Sequence, residues 1–290
     1  MVVISCCTPQ LEDLPELIHR IQSLLPAKEA ARTCILSKSW LHACSTIPTL
    51  RFPCQSLTSY NKLIDSTLVR YHRDNLPIQC FDLVFDIRDQ KSASLANKWI
   101  FGVASKSALK ELFLSIWVEI DSFTLPDDIF SKISSIEQND ILEIDDVPSL
   151  GFIRYTDYLN KPLPFNMDSL GSVTHLDISG VVLDNAFFDM IKSNFPFLES
   201  LSLEITSRGL GSIVITSLPL KRLTLQFWVD IMTIDVQVYA PKLLFFFYAG
   251  RETVPSLSFP IIAPEEIKLR LNLKKTIDRS FFIKRLENSV

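Results

Sequence analysis

Glycine and histidine are scarce in this sequence, 7 and 4 residues of 290. Glycine-rich loops that close around phosphate and multi-histidine metal centres therefore have little raw material, and neither a cofactor nor a metal is expected. The six cysteines (Cys6, Cys7, Cys34, Cys44, Cys54 and Cys80) fall within the first 80 residues and contain no C-x-x-C pair. Free thiols are the expectation. No Asn-x-Ser/Thr acceptor occurs, which agrees with a reducing compartment, cytoplasmic or nuclear. Charge of one sign is also missing. With 29 Lys+Arg against 33 Asp+Glu the net charge is -4, so no global field drives binding to nucleic acid or to an anionic membrane. The longest apolar run, Leu243 to Ala249, is far shorter than the roughly 20 residues of a spanning helix and reads as a buried strand.

Candidate chemistry is equally thin. Gly209-Leu-Gly211 begins like a dinucleotide loop, but Val214 stands where the third glycine belongs, so a plain loop is expected. The acidic pairs Asp127-Asp128 and Asp145-Asp146 lack a partner histidine or metal-ligand spacing. His19, His42, His72 and His175 have no Ser or Cys arranged beside them for nucleophilic attack, so each reads as a surface or hydrogen-bonded residue. No catalytic residue is assigned.

What is present is apolar pattern. Leu14, Leu17, Ile18, Ile21, Leu24 and Leu25 recur at three- and four-residue steps, which predicts an amphipathic helix ended by Pro26. Ala27 to Leu36 is rich in helix formers, and Ser37 can cap a third helix carrying Trp40 and Leu41. Such a unit of about 40 residues buries too little surface to be stable alone and should lean on a neighbour. A further helix is predicted over Ser59 to Tyr71, closed by the turn residues Asp74-Asn-Leu-Pro77. Beyond Ile78 short apolar segments recur: Phe81-x-Leu83-x-Phe85, Leu109-x-x-Leu112-x-Leu114, Ile141/Leu142-x-Ile144, Val173-x-x-Leu176-x-Ile178, Leu198-x-x-Leu201-x-Leu203, Leu220-x-x-Leu223-x-Leu225, Leu243-x-x-Phe246-x-Tyr248 and Ile267-x-Leu269. Spacers such as Ser94 to Ala104 and Asn185 to Ile191, the latter with Asp184 as N-cap, read as helices, whereas the later ones leave room only for loops or a turn of tight helix.

An L-x-x-L-x-L core recurring every 20 to 30 or so residues resembles leucine-rich repeats, in which each unit supplies one parallel strand. The usual Asn two positions past the core is missing, so the solenoid is expected to be irregular. The segment from Leu14-Pro15 through Pro26 to Leu36-Ser37-Lys38-x-Trp40 resembles an F-box, and with the repeats the chain is similar to plant-type F-box/leucine-rich-repeat proteins. The expected fold is α/β: a small three-helix F-box and an irregular solenoid with parallel strands on the concave side and helices and loops on the convex side. The expected division is a flexible tail over 1–10, the F-box over 11–52, a linker helix over 53–77 and repeats over 78–290, with a C-terminal cap that is short or truncated.

The resemblance implies a non-catalytic substrate receptor of an SCF-type ubiquitin ligase. The F-box would bind a Skp-type adaptor of the cullin complex and the repeats a target protein. The alternative is a small-molecule co-receptor with a pocket on the repeats. Carried over by position, Leu14, Pro15, Ile18, Ile21, Leu25, Pro26, Leu36, Ser37 and Trp40 are the expected adaptor contacts, with Leu14-Pro15 contact only and Trp40 shared between core and contact. Seven basic residues against one acid over Lys268 to Arg285 read either as a solvated face or as a contact for an acidic partner.

Overall fold

The computed structural model describes residues 14–53, 57–104, 108–120, 123, 150–157, 163, 170–206, 212–228, 234–250 and 255–271. Three helices open the chain: α1 (Pro15–Ser23), α2 (Ala27–Thr33) and α3 (Lys38–Ser45). Proline begins α1, where its missing N–H costs nothing, and Pro26 is the N-cap of α2. The Ser37 hydroxyl accepts from the Trp40 N–H at 3.4 Å and caps α3, as its place in the sequence predicts.

Strands and spacers then alternate: β1 (Thr49–Phe52), α4 (Leu57–Arg73), β2 (Cys80–Ile87), α5 (Gln90–Ala104), β3 (Glu111–Val118), β4 (Phe152–Asp157), β5 (His175–Val181) and α6 (Asn185–Asn194). They continue with β6 (Ser200–Ile205), β7 (Ser212–Thr216), β8 (Arg222–Phe227), β9 (Asp235–Tyr239), β10 (Phe245–Gly250), β11 (Ser256–Ser258) and β12 (Glu266–Leu271). Nine strands form one parallel sheet in the order β1-β2-β3-β4-β5-β6-β8-β10-β12. Each strand neighbours the preceding and following unit, the topology of an α/β leucine-rich-repeat solenoid.

One residue of every strand stands in register with its neighbours, giving the ladder Leu50, Phe81, Leu112, Ile153, Leu176, Leu201, Leu223, Phe246 and Ile267. The ladder revises the repeat frame at three places. In β2 the equivalent position is Phe81, not Leu83, because Ile78 supplies the preceding apolar residue. Ile141, Leu142 and Ile144 lie outside the described residues, and the strand between β3 and β5 is built on Leu150-x-x-Ile153-x-Tyr155. Ile47-x-x-Leu50-x-Phe52 makes the first strand, so the repeat begins directly behind α3.

The backbone repeats as faithfully as the side chains. The carbonyl two residues before each ladder position (Pro48, Gln79, Lys110, Gly151, Thr174, Glu199 and Lys221) accepts two successive N–H groups from the following unit. This satisfies backbone groups at the bend without the missing Asn, so the start of each strand is regular, and the irregularity lies in the spacers and in a register shift between Ile178 and Val181 at the end of β5.

On the other side of the sheet, α4, α5 and α6 fill the longer spacers. Trp99 of α5 meets Phe85 of β2 edge-on at 5.0 Å, and its indole N–H donates to Asp65 of α4 at 2.9 Å. Asp184 caps α6 by accepting from the Phe187 N–H at 3.0 Å. The later spacers differ from expectation: β7, β9 and β11 form a second parallel sheet in the order β11-β9-β7 instead of loops or tight helix. Ile213, Ile215, Val236 and Val238 are buried and alternate with outward-facing Val214 and Gln237, and such branched side chains favour extended backbone over a single helical turn. Both layers share one continuous core, which also takes in Ile64 and Tyr71 of α4, the helix read from sequence as a linker.

Candidate functional site

Helix α1 is apolar on more sides than the three-helix unit can cover. Ile18 is fully buried against Trp40 and Ala43 of α3. One turn on, Gln22 is also fully buried and ties the helices together: its Nε2 donates to Thr33 Oγ1 at 2.7 Å and to the Trp40 carbonyl at 3.0 Å. His19 Nε2 stands 2.9 Å from Thr46 Oγ1, so this histidine is engaged structurally. A second stripe of Leu14, Leu17, Ile21 and Leu24 points away from that core, with Leu17 45 % and Leu24 67 % exposed. Ile35 and Leu36 in the α2–α3 turn and Leu41 on α3 are exposed as well. Large apolar groups held in water on a unit this small make a candidate docking surface.

The second surface is the open face of the nine-stranded sheet, carried by residues that alternate with the ladder. Phe113 of β3 and Phe152 of β4 lie 5.0 Å apart, and Phe152 stacks on His175 of β5 at 5.8 Å. The Arg154 guanidinium stands over both phenyl rings at 5.4 and 5.6 Å while its Nε donates to Asp177 at 2.7 Å. At the other end Phe245 of β10 lies between Arg222 of β8, at 5.7 Å, and Lys268 of β12, at 5.2 Å. Half-buried aromatic rings with stacked cations have the composition of binding hot spots.

No family model matches the chain. It is similar to an F-box/LRR-repeat protein of Arabidopsis thaliana, 26% identical over 289 residues, covering 92% of this chain and 56% of the relative. A second Arabidopsis thaliana F-box/LRR-repeat protein is 28% identical over 260 residues, 82% of this chain and 37% of the relative. Several such relatives, 25–28% identical over much of the chain, make it similar to plant F-box/leucine-rich-repeat proteins. It spans from about a third to just over half the length of these relatives.

Among the F-box residues singled out from sequence, the structure separates three groups. Leu14, Pro15, Ile21 and Leu36 are exposed. Ile18 is fully buried and Trp40 is 8 % exposed, so both act through packing, and Ser37 is the α3 cap. Leu25 and Pro26 are half-buried, Leu25 against Ala30, Cys44 and Ile47. Leu17, Leu24, Ile35 and Leu41 are exposed residues outside the original set. Their signal in the sequence is the second apolar stripe, which becomes informative only once Ile18 and Gln22 are known to face inward. Cys34, Cys44 and Cys80 are free thiols; burial pushes those of Cys44 and Cys80 up to about 12. Cys6, Cys7 and Cys54 lie outside the described residues, as do Asp127-Asp128, Asp145-Asp146, Gly209-Leu-Gly211 and the basic positions beyond Arg270. Among the described residues no group of His, Cys, Asp and Glu could hold a metal, and no helix is long and apolar enough to cross a membrane.

Two carboxyls on the open face are held at a cost to stability. Burial raises Asp82 above the usual carboxylate range although Arg51 and Arg154 pull it down. Burial also raises Glu204, assisted by Asp177 and opposed by a hydrogen bond from Ser179. A raised folded-state value means that the folded protein holds these protons more tightly than the unfolded chain does. The contribution therefore becomes unfavourable as pH rises from about 4 through the raised values, and the loss is complete at neutral pH. Asp82→Asn combined with Glu204→Gln should raise the melting temperature at pH 7 by about 1–3 °C, allowing for partial solvent screening, with the gain vanishing at pH 4. Melting curves across that range check it; a double variant less stable than wild type at pH 7 contradicts it.

Proposed function

We propose that this chain is a non-catalytic substrate receptor of an SCF-type ubiquitin ligase. The three helices within 11–52 dock on a Skp-type adaptor of the cullin complex, the strand at Thr49–Phe52 and the helix within 53–77 start the solenoid, and the repeats over 78–290 hold a target protein. The observation that carries the reading is the second apolar stripe of α1, whose Leu14, Leu17, Ile21 and Leu24 remain in water after Ile18 and Gln22 have completed the internal packing. The aromatic and charged open face supports target binding, since it retains Asp82 and Glu204 against the stability cost of burying their charge. The relatives' names point the same way. Place of action is cytoplasmic or nuclear.

The test is affinity purification of the tagged full chain from plant cells, followed by mass spectrometry. A Skp-type adaptor and a cullin should be recovered in amounts comparable to the bait. Recovery of neither from cells that express both rejects the receptor reading.

A further inference from the structure

Where the F-box meets the first repeat the helices do not close completely. A cleft of about 330 Å³ lies between α2 and α3 on one side and β1 and α4 on the other. Its apolar wall is built from Leu25, Ala30, Ile47 and Leu63, and the polar groups facing it include Thr67 and Arg70. No Asp or Glu is among the described residues that line it. This location is distinct from the exposed α1 stripe and from the open face of the sheet.

Arg70 is the informative residue. Its Nε is buried and has no hydrogen-bond partner among the described residues. The guanidinium carbon lies 5.2 Å from the centre of the Tyr71 ring, whose hydroxyl donates to the Ile47 carbonyl at 2.6 Å and whose oxygen feels the Arg70 side chain as a hydrogen-bond donor. Asp74, the carboxylate that feels Arg70, is itself held by Arg73 through two bonds of 2.8 and 3.0 Å. Arg70 is the one charged residue among the described residues that line the cleft, and the acceptor that fits a guanidinium fork best is a carboxylate. The volume lies at the lower end of small-molecule sites, about 300–1,000 Å³, and the apolar wall needs an apolar body to cover it.

We propose that this cleft binds a small organic carboxylate, an aryl or alkyl acid whose charge pairs with Arg70 and whose apolar body lies against Leu25, Ala30 and Leu63. Such a ligand would bridge the docking helices and the first repeat, and its binding adds stability that grows with its concentration. Charge complementarity sets the class: a cation would meet Arg70, and a neutral molecule can accept a hydrogen bond from the guanidinium but leaves its charge unpaired.

The test uses the full chain, calorimetry and thermal melts, with three probes: 2-naphthoate, its neutral carboxamide and inorganic phosphate. Naphthoate should bind saturably and raise the melting temperature, the carboxamide should bind at least tenfold more weakly, and phosphate should not bind. Arg70→Gln should lower naphthoate affinity about tenfold and abolish the preference for acid over amide. Ala31→Phe, at the rim of the cleft, should weaken acid and amide together. Should Arg70→Gln fail to fold, Ala31→Phe and the acid-to-amide ratio of the wild type decide the matter. Equal binding of acid and amide, unchanged naphthoate affinity in either folded variant, phosphate binding as tight as naphthoate, or no saturation by 5 mM each overturns the proposal.

Discussion

Replacing Leu17 and Ile21 together by aspartate should lower affinity for a Skp-type adaptor at least 100-fold while leaving the far-ultraviolet circular dichroism unchanged. The two side chains stand one turn apart on the outer face of α1 and are 45 % and 38 % exposed, so the folded chain tolerates carboxylates there. An interface does not: losing two buried aliphatic side chains forfeits about 1.5 kcal/mol or more each, and two charges would be left desolvated in their place. About 2.7 kcal/mol corresponds to the 100-fold loss. The adjacent position is the control. Ile18 is 0 % exposed and packs on Trp40 and Ala43, so Ile18→Asp should unfold the three-helix unit and lose binding by that route. Binding assays with purified adaptor, read beside circular dichroism, separate the two cases. Wild-type affinity in a folded Leu17→Asp/Ile21→Asp protein would place docking elsewhere than on this stripe.

The largest stability effect from a single methyl group is expected at Gly180. It lies at the end of β5 where the pairing with β6 shifts register between Ile178 and Val181, and its φ is +69°. Only glycine takes that conformation freely; for an L side chain the left-handed region costs about 1–2 kcal/mol. The space is closed as well. A Cβ on Gly180 would lie 1.6 Å from the carbonyl oxygen of Asp157, a backbone atom at the end of β4. Asp157 is 2 % exposed, so the strand end cannot swing into solvent to make room. Gly180→Ala should therefore cost on the order of 3–5 kcal/mol and lower the melting temperature by roughly 10 °C. Gly180→Asn distinguishes the causes, because asparagine tolerates the left-handed region but carries the same Cβ. If the close approach dominates, Asn is no better than Ala. A melting temperature within 2 °C of wild type for Gly180→Ala would refute the close approach of β4 and β5.

The repeat was legible because its period survives in one residue class: Leu112, Leu176, Leu201, Leu223 and Phe246 all stand where their spacing puts them. Ile153 was overlooked because Ile141, Leu142 and Ile144 offered a more even interval, and apolar spacing alone cannot choose between neighbouring runs. The β7-β9-β11 sheet was missed for a related reason. Five residues with two branched side chains are too short to show a period, and their strand character depends on identical neighbours one repeat away. In the docking unit the sequence marks α1 as apolar at Leu14, Leu17, Ile18, Ile21, Leu24 and Leu25, but helical spacing is the same for a core stripe and a docking stripe.

By itself the sequence determined what local chemistry controls: the three short helices with their proline starts and the Ser37 cap, the strand-forming repeat, and the scarcity of glycine and histidine. Tertiary structure alone decided which apolar residues are spent inside. Trp40 closes over Ile18 and so turns Leu17 and Ile21 outward, and β1 pairs with β2, which makes the strand behind the three-helix unit the first rung of the solenoid. The cleft at Arg70 follows from that junction. It is formed by residues from Leu25 to Tyr71 that have no common spacing and meet only because the fold gathers α2, α3, β1 and α4 around one cleft. Burial and register are properties of several segments at once, and a single segment's pattern does not contain them.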